Sequence, residues 1–190
     1  MGARAAATEE TRRGIVTAAR DLLATRQWQH FTVEAVANRA GVTRVTVYNQ
    51  VRSKRGLLEA VLTDLTERAR MDQLLADTRH LTATEACAAI VLRTCRFWHA
   101  ERDILRPVFG LAGVDKDVAG ALAQRERWRR DQLRQLLESL GAAATFAPDD
   151  VLDTALAVTS FPTYDRLGAL ADDPERAARM ISHLVRSLTN

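Results

Sequence analysis

No apolar run among the 190 residues approaches the roughly 20 that a membrane-spanning helix needs. The opening stretch, MGARAAATEETRR, lacks the apolar core of a secretory signal. Both absences point to a cytoplasmic protein without a membrane partner. Cysteine is scarce: Cys87 and Cys95 stand eight residues apart in a segment that reads as helix. About 12 Å of axial rise separates them, too far for a bridge, so buried thiols in a reducing compartment are expected. Clusters of β-branched residues bounded by turn signals are few, and internal repeats and low-complexity tracts are lacking, which argues against a sheet protein, a solenoid or a disordered chain. Catalytic signatures are missing as well. There is no G-x-S-x-G, no phosphate loop and no pair of carboxylates at a catalytic spacing, so no enzyme and no cofactor are expected. Cys95 and His99 share a helix face at i, i+4, but no third ligand completes a metal site.

What the chain does contain is helical periodicity and an uneven distribution of charge. Residues 1–60 hold ten Lys and Arg against five Asp and Glu, and the rest hold seventeen against nineteen. A basic front on a neutral-to-acidic body suits a polyanion-binding head on a regulatory body. The fold expected is all-α. A first helix runs from about Thr8 to Arg26 with Ile15, Ala18, Ala19, Leu22 and Leu23 on one stripe, and Trp28 and Phe31 close the base of a small core. A second helix, 32–40, starts on the hydroxyl of Thr32. A third runs from Thr43 to about Val51, and a fourth starts at Ser53 and carries Leu57, Leu58, Val61, Leu62 and Leu65. Further helices are expected near 84–100, 102–112, 115–140, 149–170 and 174–188. Pro107 and Pro162 should kink or end theirs, Gly141 to Pro148 reads as an Ala-rich loop, and Asp173-Pro174 starts the last helix.

The segment from Thr32 to Val51 carries the functional argument. Two helices that meet steeply across a short turn need a small residue where their backbones approach, a residue tolerant of positive φ, and an apolar anchor facing the core. Ala37, Gly41 and Val47 fill these places, with Val36, Val42 and Val51 in support. The outward face of the third helix presents Arg44, Val45, Thr46, Tyr48 and Asn49, and residues near the start of such a helix reach base edges in the major groove. Arg44 can pair with guanine O6 and N7, Thr46 can bond a base or touch a thymine methyl, and Val45 offers apolar contact. Thr43, Tyr48, Gln50 and Lys54 are placed for phosphates, and Thr32 leads the positioning helix.

With these residues in view, the chain resembles the tetracycline-repressor (TetR) family of bacterial transcription regulators. The resemblance rests on Phe31-Thr32, Ala37, Gly41-Val42-Thr43, Thr46-Val47-Tyr48, Val51 and Ser53-Lys54 leading into Leu57-Leu58. It covers residues 8–65 closely and the remainder only in length and helical character. It implies a homodimer with a three-helix DNA-binding head, residues 1–52, joined by the fourth helix to an effector-binding and dimerisation body, residues 53–190. It also implies backbone contacts from Tyr48 and Lys54, and release of the DNA by a small molecule. The sequence departs from the family at Asn49-Gln50-Val51, where an aromatic often fills the last position, and at Arg52, where proline or glycine is frequent.

The expected partners are therefore a palindromic duplex, a second copy of the chain and a small-molecule effector. Regulation by repression is the leading reading, with activation or effector-independent binding as the alternative. Two half-sites one helical turn apart call for a dimer. The stripes Leu152, Ala155, Leu156, Thr159 and Ala177, Ile181, Leu184, Val185, Leu188 form either its interface or intrachain core. Thr94, Trp98, Phe109, Trp128, Phe161 and Tyr164 either line an effector pocket or belong to plain core. The arginines at 125, 127, 129 and 130 around Trp128 are either a solvated face or a site for an acidic effector.

Overall fold

A computed structural model describes residues 2–25, 30–139 and 146–188. Among them every regular element is helical: α1 Ala3–Leu23, α2 Val33–Ala40, α3 Arg44–Val51, α4 Lys54–Arg68, α5 Leu74–Asp77, α6 Ala83–Ala100, α7 Arg102–Ala112, α8 Lys116–Ser139, α9 Pro148–Val158, α10 Phe161–Asp165 and α11 Pro174–Ser187. Short 3-10 turns occupy Met71–Gln73 and Gly168–Asp172. The expected all-α architecture is what the chain adopts. Trp28, the expected end of the first helix at Arg26 and most of the Gly141 to Pro148 loop lie outside the described residues.

The helix starts follow local chemistry. Thr32, Thr43, Thr82, Ser160 and Asp173 each accept a hydrogen bond from a first-turn amide. Thr82 and Glu85 cap each other's backbone reciprocally, forming a capping box. Pro107 sits within α7 without ending it. Pro162 belongs to a true break: the 149–170 segment is split at Thr159-Ser160, with Ser160 capping α10 and the proline in its first turn, where its missing N–H costs nothing.

Two compact units result. The first comprises residues 1–65 and 103–124, the second residues 66–102 and 125–190. The first unit thus gathers most of α4 and a later segment with the first three helices, so the packing does not divide at 52/53. In the first unit α1, α2 and α3 pack on one another through Ile15, Ala19, Leu23, Phe31, Val36, Ala37 and Val47, all buried. The buried face of α4 adds Leu57, Leu58, Val61 and Leu65. An ion pair between Arg20 and Asp64 (3.3 Å) ties α1 to α4. In the second unit α11 packs along α6 and touches α9, and α10 lies against both α6 and α9.

Candidate nucleic-acid interface

The turn between α2 and α3 is built as its residues require. Gly41 takes a left-handed conformation (φ 67°), and its N–H reaches the carbonyls of Ala37 and Asn38, while Val42 N–H donates to the Ala37 carbonyl (3.0 Å). A side chain at that φ is strained, and glycine is not. Thr43 then caps α3, its hydroxyl accepting from Thr46 N–H (3.1 Å) and pairing with the Thr46 hydroxyl (2.9 Å). Val47 and Val51 are buried anchors. The helix is thereby fixed at both ends and along one side, and its other side is open.

That open side carries most of the expected reading residues. Arg44, Tyr48 and Asn49 are exposed, and Val45 beside them is 67% exposed. Arg44 lies 3.9 Å from Glu34, a loose pairing between two exposed side chains that leaves the guanidinium available. Thr32 and Thr43 are exposed, and Thr46 is half-buried with its hydroxyl engaged by Thr43. Gln50 is half-buried, and its carbonyl accepts from the Arg12 guanidinium (2.8 Å), which fastens the end of α3 to α1.

Lys54 is placed differently from the others. Its ammonium donates to Asp115 Oδ2 at 2.6 Å and lies 5.8 Å from the centre of the Phe31 ring. Asp115 Oδ1 accepts from the amides of Asp117 and Val118 at the start of α8. The hydrogen bond from Lys54, helped by those amides, holds the Asp115 carboxyl below the usual carboxylate range against the opposing effect of burial.

Sequence reasoning missed two residues that shape this face, Gly56 and Asp115, and marked a third, Arg52, only as a departure from the family. A Cβ on Gly56 would stand 2.1 Å from the Val51 carbonyl oxygen, so the α3–α4 junction closes only over glycine. Arg52 adopts φ 64°, the left-handed region, at the position where the family often has glycine or proline. Asp115 was invisible because its partner is 61 residues away in the chain. The Arg52 departure from the family was the one available signal.

In the second unit, Trp98, Phe161 and Tyr164 are buried together. Trp98 meets Phe161 edge-on (5.7 Å) and Phe97 at 4.9 Å, and its indole N–H donates to the Thr159 carbonyl (3.0 Å). The Tyr164 hydroxyl donates to the Ala171 carbonyl. Thr94 is half-buried, its hydroxyl returned to the Ile90 carbonyl. Trp128 is half-buried beneath the Arg125 guanidinium (3.9 Å). Phe109 belongs to the first unit. Arg129 bonds the Thr159 carbonyl and hydroxyl and pairs with Glu126. Arg130 pairs with Asp153.

The two stripes expected at a dimer interface turn out to be largely internal. Leu152, Ala155, Thr159, Ala177, Ile181 and Val185 are buried in their own unit, because α9 and α11 need those faces against each other and against α6. Leu156 and Leu188 are half-exposed. The outward apolar residues of α11 are Leu184 (43% exposed) and Met180 (52%), one turn apart. Cys95 is buried, and His99 Nδ1 faces the Ala171 carbonyl (3.2 Å).

Comparison with known proteins bears on this geometry. Residues 15–61 match the family model of bacterial regulatory proteins, tetR family. The chain is 40% identical over 57 residues to the HTH-type transcriptional regulator AlkX of Mycobacterium tuberculosis (strain ATCC 25618 / H37Rv), a match spanning 30% of this chain and 27% of that protein. A TetR-family regulator from Syntrophomonas wolfei has the same fold at a TM-score of 0.78, with 17% identity over 95% of each chain. A regulator from Saccharomonospora viridis, solved in complex with choline, superposes at 0.65 with 14% identity over 94% of this chain and 96% of that one. No described helix is long and apolar enough to cross a membrane. Over residues 15–61 the chain is thus similar to the N-terminal domain of the tetR family of bacterial regulatory proteins.

Proposed function

We propose that the protein is a cytoplasmic transcriptional repressor that grips a palindromic operator as a homodimer and is released by a small molecule. The observation that carries this reading is the open edge of α3. Its helix is anchored by Val47 and Val51 and capped by Thr43, and it leaves Arg44, Val45, Tyr48 and Asn49 together facing outward. Residues 1–52 do the reading and 53–190 receive the effector and the second copy. Thr32, Thr43, Tyr48, Gln50 and Lys54 supply phosphate and positioning contacts, and Arg44, Val45 and Thr46 face base edges.

The test is a binding series with a palindromic duplex from the promoter beside the gene, titrated across salt. Phosphate contacts impose a steep loss of affinity with salt, so salt-independent or absent binding would sink the reading. Arg44→Ala is expected to relax preference at one base pair by about 1–3 kcal/mol. Equal losses against every base variant would remove the base-reading role.

The effector is assigned to the surroundings of Trp98, Phe161 and Tyr164, with Thr94 and Trp128 at their margin. Release requires that it bind the DNA-competent and incompetent conformations unequally. The relative from Saccharomonospora viridis was solved with choline, a quaternary ammonium. In this chain the ring faces that would receive such a cation already carry guanidiniums. Arg102 lies 5.8 Å from the Tyr164 ring centre and Arg129 5.5 Å from that of Trp98. A neutral or anionic effector fits this site better. Dimerisation is assigned to α9 and α11 through Leu184, Met180, Leu156 and Leu188.

A further inference from the structure

Of the nine side chains assigned to DNA contact, Lys54 alone has its charge spent inside the protein at hydrogen-bond distance. Lys54 Nζ and Asp115 Oδ2 are 2.6 Å apart, and the two side chains are only 25% and 23% exposed. Asp115 is not a chance neighbour on a loose loop. Its second oxygen is bound by the amides of Asp117 (2.9 Å) and Val118 (3.3 Å), so the carboxylate is oriented by the first turn of α8 and does not swing with the lysine. The next basic residue is held by the same segment. Arg55 donates to Gln124 (3.1 Å) and to Glu59 (2.7 Å), and it lies so close to Gly120 that a Cβ there would stand 3.1 Å from the guanidinium. The start of α4, immediately after the reading helix, is therefore covered by acidic and polar groups of residues 115–124.

A phosphate oxygen and a carboxylate oxygen offer an ammonium the same kind of bond. We propose that Asp115 is a built-in competitor for DNA phosphate: it holds the Lys54 ammonium in the free protein and yields it when a phosphate oxygen takes its place. The exchange breaks one charge-assisted hydrogen bond and forms another. It leaves Asp115 ionised, still bound to the α8 amides but without its cation, and that loss is charged against DNA affinity. Asp115 thereby sets the strength of a grip it never touches. This inference rests on the reading that Lys54 grips phosphate.

The experiment is a double-mutant cycle of wild type, Asp115→Asn, Lys54→Ala and the double variant. Binding is measured by fluorescence anisotropy on a labelled duplex of about 30 base pairs of scrambled sequence, long enough for two half-sites one helical turn apart. A scrambled probe serves because a phosphate contact acts on all sequences alike. Asparagine keeps the oxygen that caps α8 and abolishes the charge. Asp115→Ser also caps and is too short to reach Lys54, so the two substitutions must agree. With Lys54 present, both are expected to tighten binding roughly 3- to 10-fold, the range for releasing a partly exposed ion pair. In the Lys54→Ala background the gain should fall to less than about twofold. Unchanged or weaker binding by Asp115→Asn with Lys54 in place overturns the proposal, and so does an equal gain in both backgrounds, which would be a long-range charge effect. Lys54→Ala should lower the log–log salt slope by about one per protomer, hence about two for a bound dimer. If affinity and slope stay as in wild type, the fault lies one step earlier, in the phosphate grip itself.

Discussion

Replacing Gly56 by alanine tests how α3 is joined to the rest of the first unit. Alanine normally stabilises a helix interior by about 1 kcal/mol over glycine. Here the new methyl would stand 2.1 Å from the Val51 carbonyl oxygen and 3.2 Å from its carbon, more than 1 Å inside ordinary contact. The obstacle is backbone and cannot rotate away, so α3 and α4 must move apart. Overpacking of that kind costs about 3 kcal/mol at the upper end of the usual range. Set against the propensity gain, the net loss is about 2 kcal/mol, or roughly 4–8 °C of melting temperature in a chain of this size. Gly14 provides the contrast, since a Cβ there meets nothing within 4 Å. Gly14→Ala should therefore stabilise by about 0.5–1 kcal/mol. Thermal melts followed by circular dichroism compare the two, with DNA binding as a second readout. A Gly56→Ala protein that melts at or above wild type and binds DNA equally well would refute the reasoning about this junction.

Other perturbations follow from single features. Arg52 holds a positive φ without being glycine, so Arg52→Gly should raise stability by about 1 kcal/mol, read as a higher denaturation midpoint in urea; a lower midpoint would mean the side chain contributes more than the strain costs. Burial pushes the Cys95 thiol up to about 12 and raises that of Cys87 as well. Both thiols thus stay protonated at pH 8, and a thiol reagent should label the native protein slowly and the denatured protein fully at two sites; rapid native labelling would show that the second unit opens readily. Leu184→Glu places a charge on the outward turn of α11 and should shift the sedimentation profile from dimer to monomer while leaving the helical content intact; an unchanged profile would move the interface elsewhere.

Local chemistry made much of this protein legible. Gly41, Thr32 and Thr43 announce their roles because a left-handed turn and a hydroxyl cap are properties of a few consecutive residues. The helices over 102–112 and 174–187 were likewise visible in their own periodicity. What escaped was relational. Gly56 looks like an ordinary helix glycine until the Val51 carbonyl is seen beside it. Lys54 looks like a free phosphate ligand until Asp115 is brought across 61 positions to meet it. The stripes of α9 and α11 show the same limit, since apolar spacing says that a face is buried but not whether the covering helix belongs to the same chain. Residues such as Ile181 and Val185 went inward, leaving Met180 and Leu184 outside.

The paired arginines and indoles of the second unit have an optical consequence. Arg125 sits directly above Trp128, and Arg129 lies beside Trp98, whose N–H is tied to the Thr159 carbonyl. Burial, with the neighbouring Arg129 in the same direction, lowers the Arg125 guanidinium to about 10, so it is still charged near neutral pH. Two fluorophores are thus each wired to a cation that an arriving anion would pull away. Their emission offers a label-free way to screen compound libraries for molecules that bind the second unit.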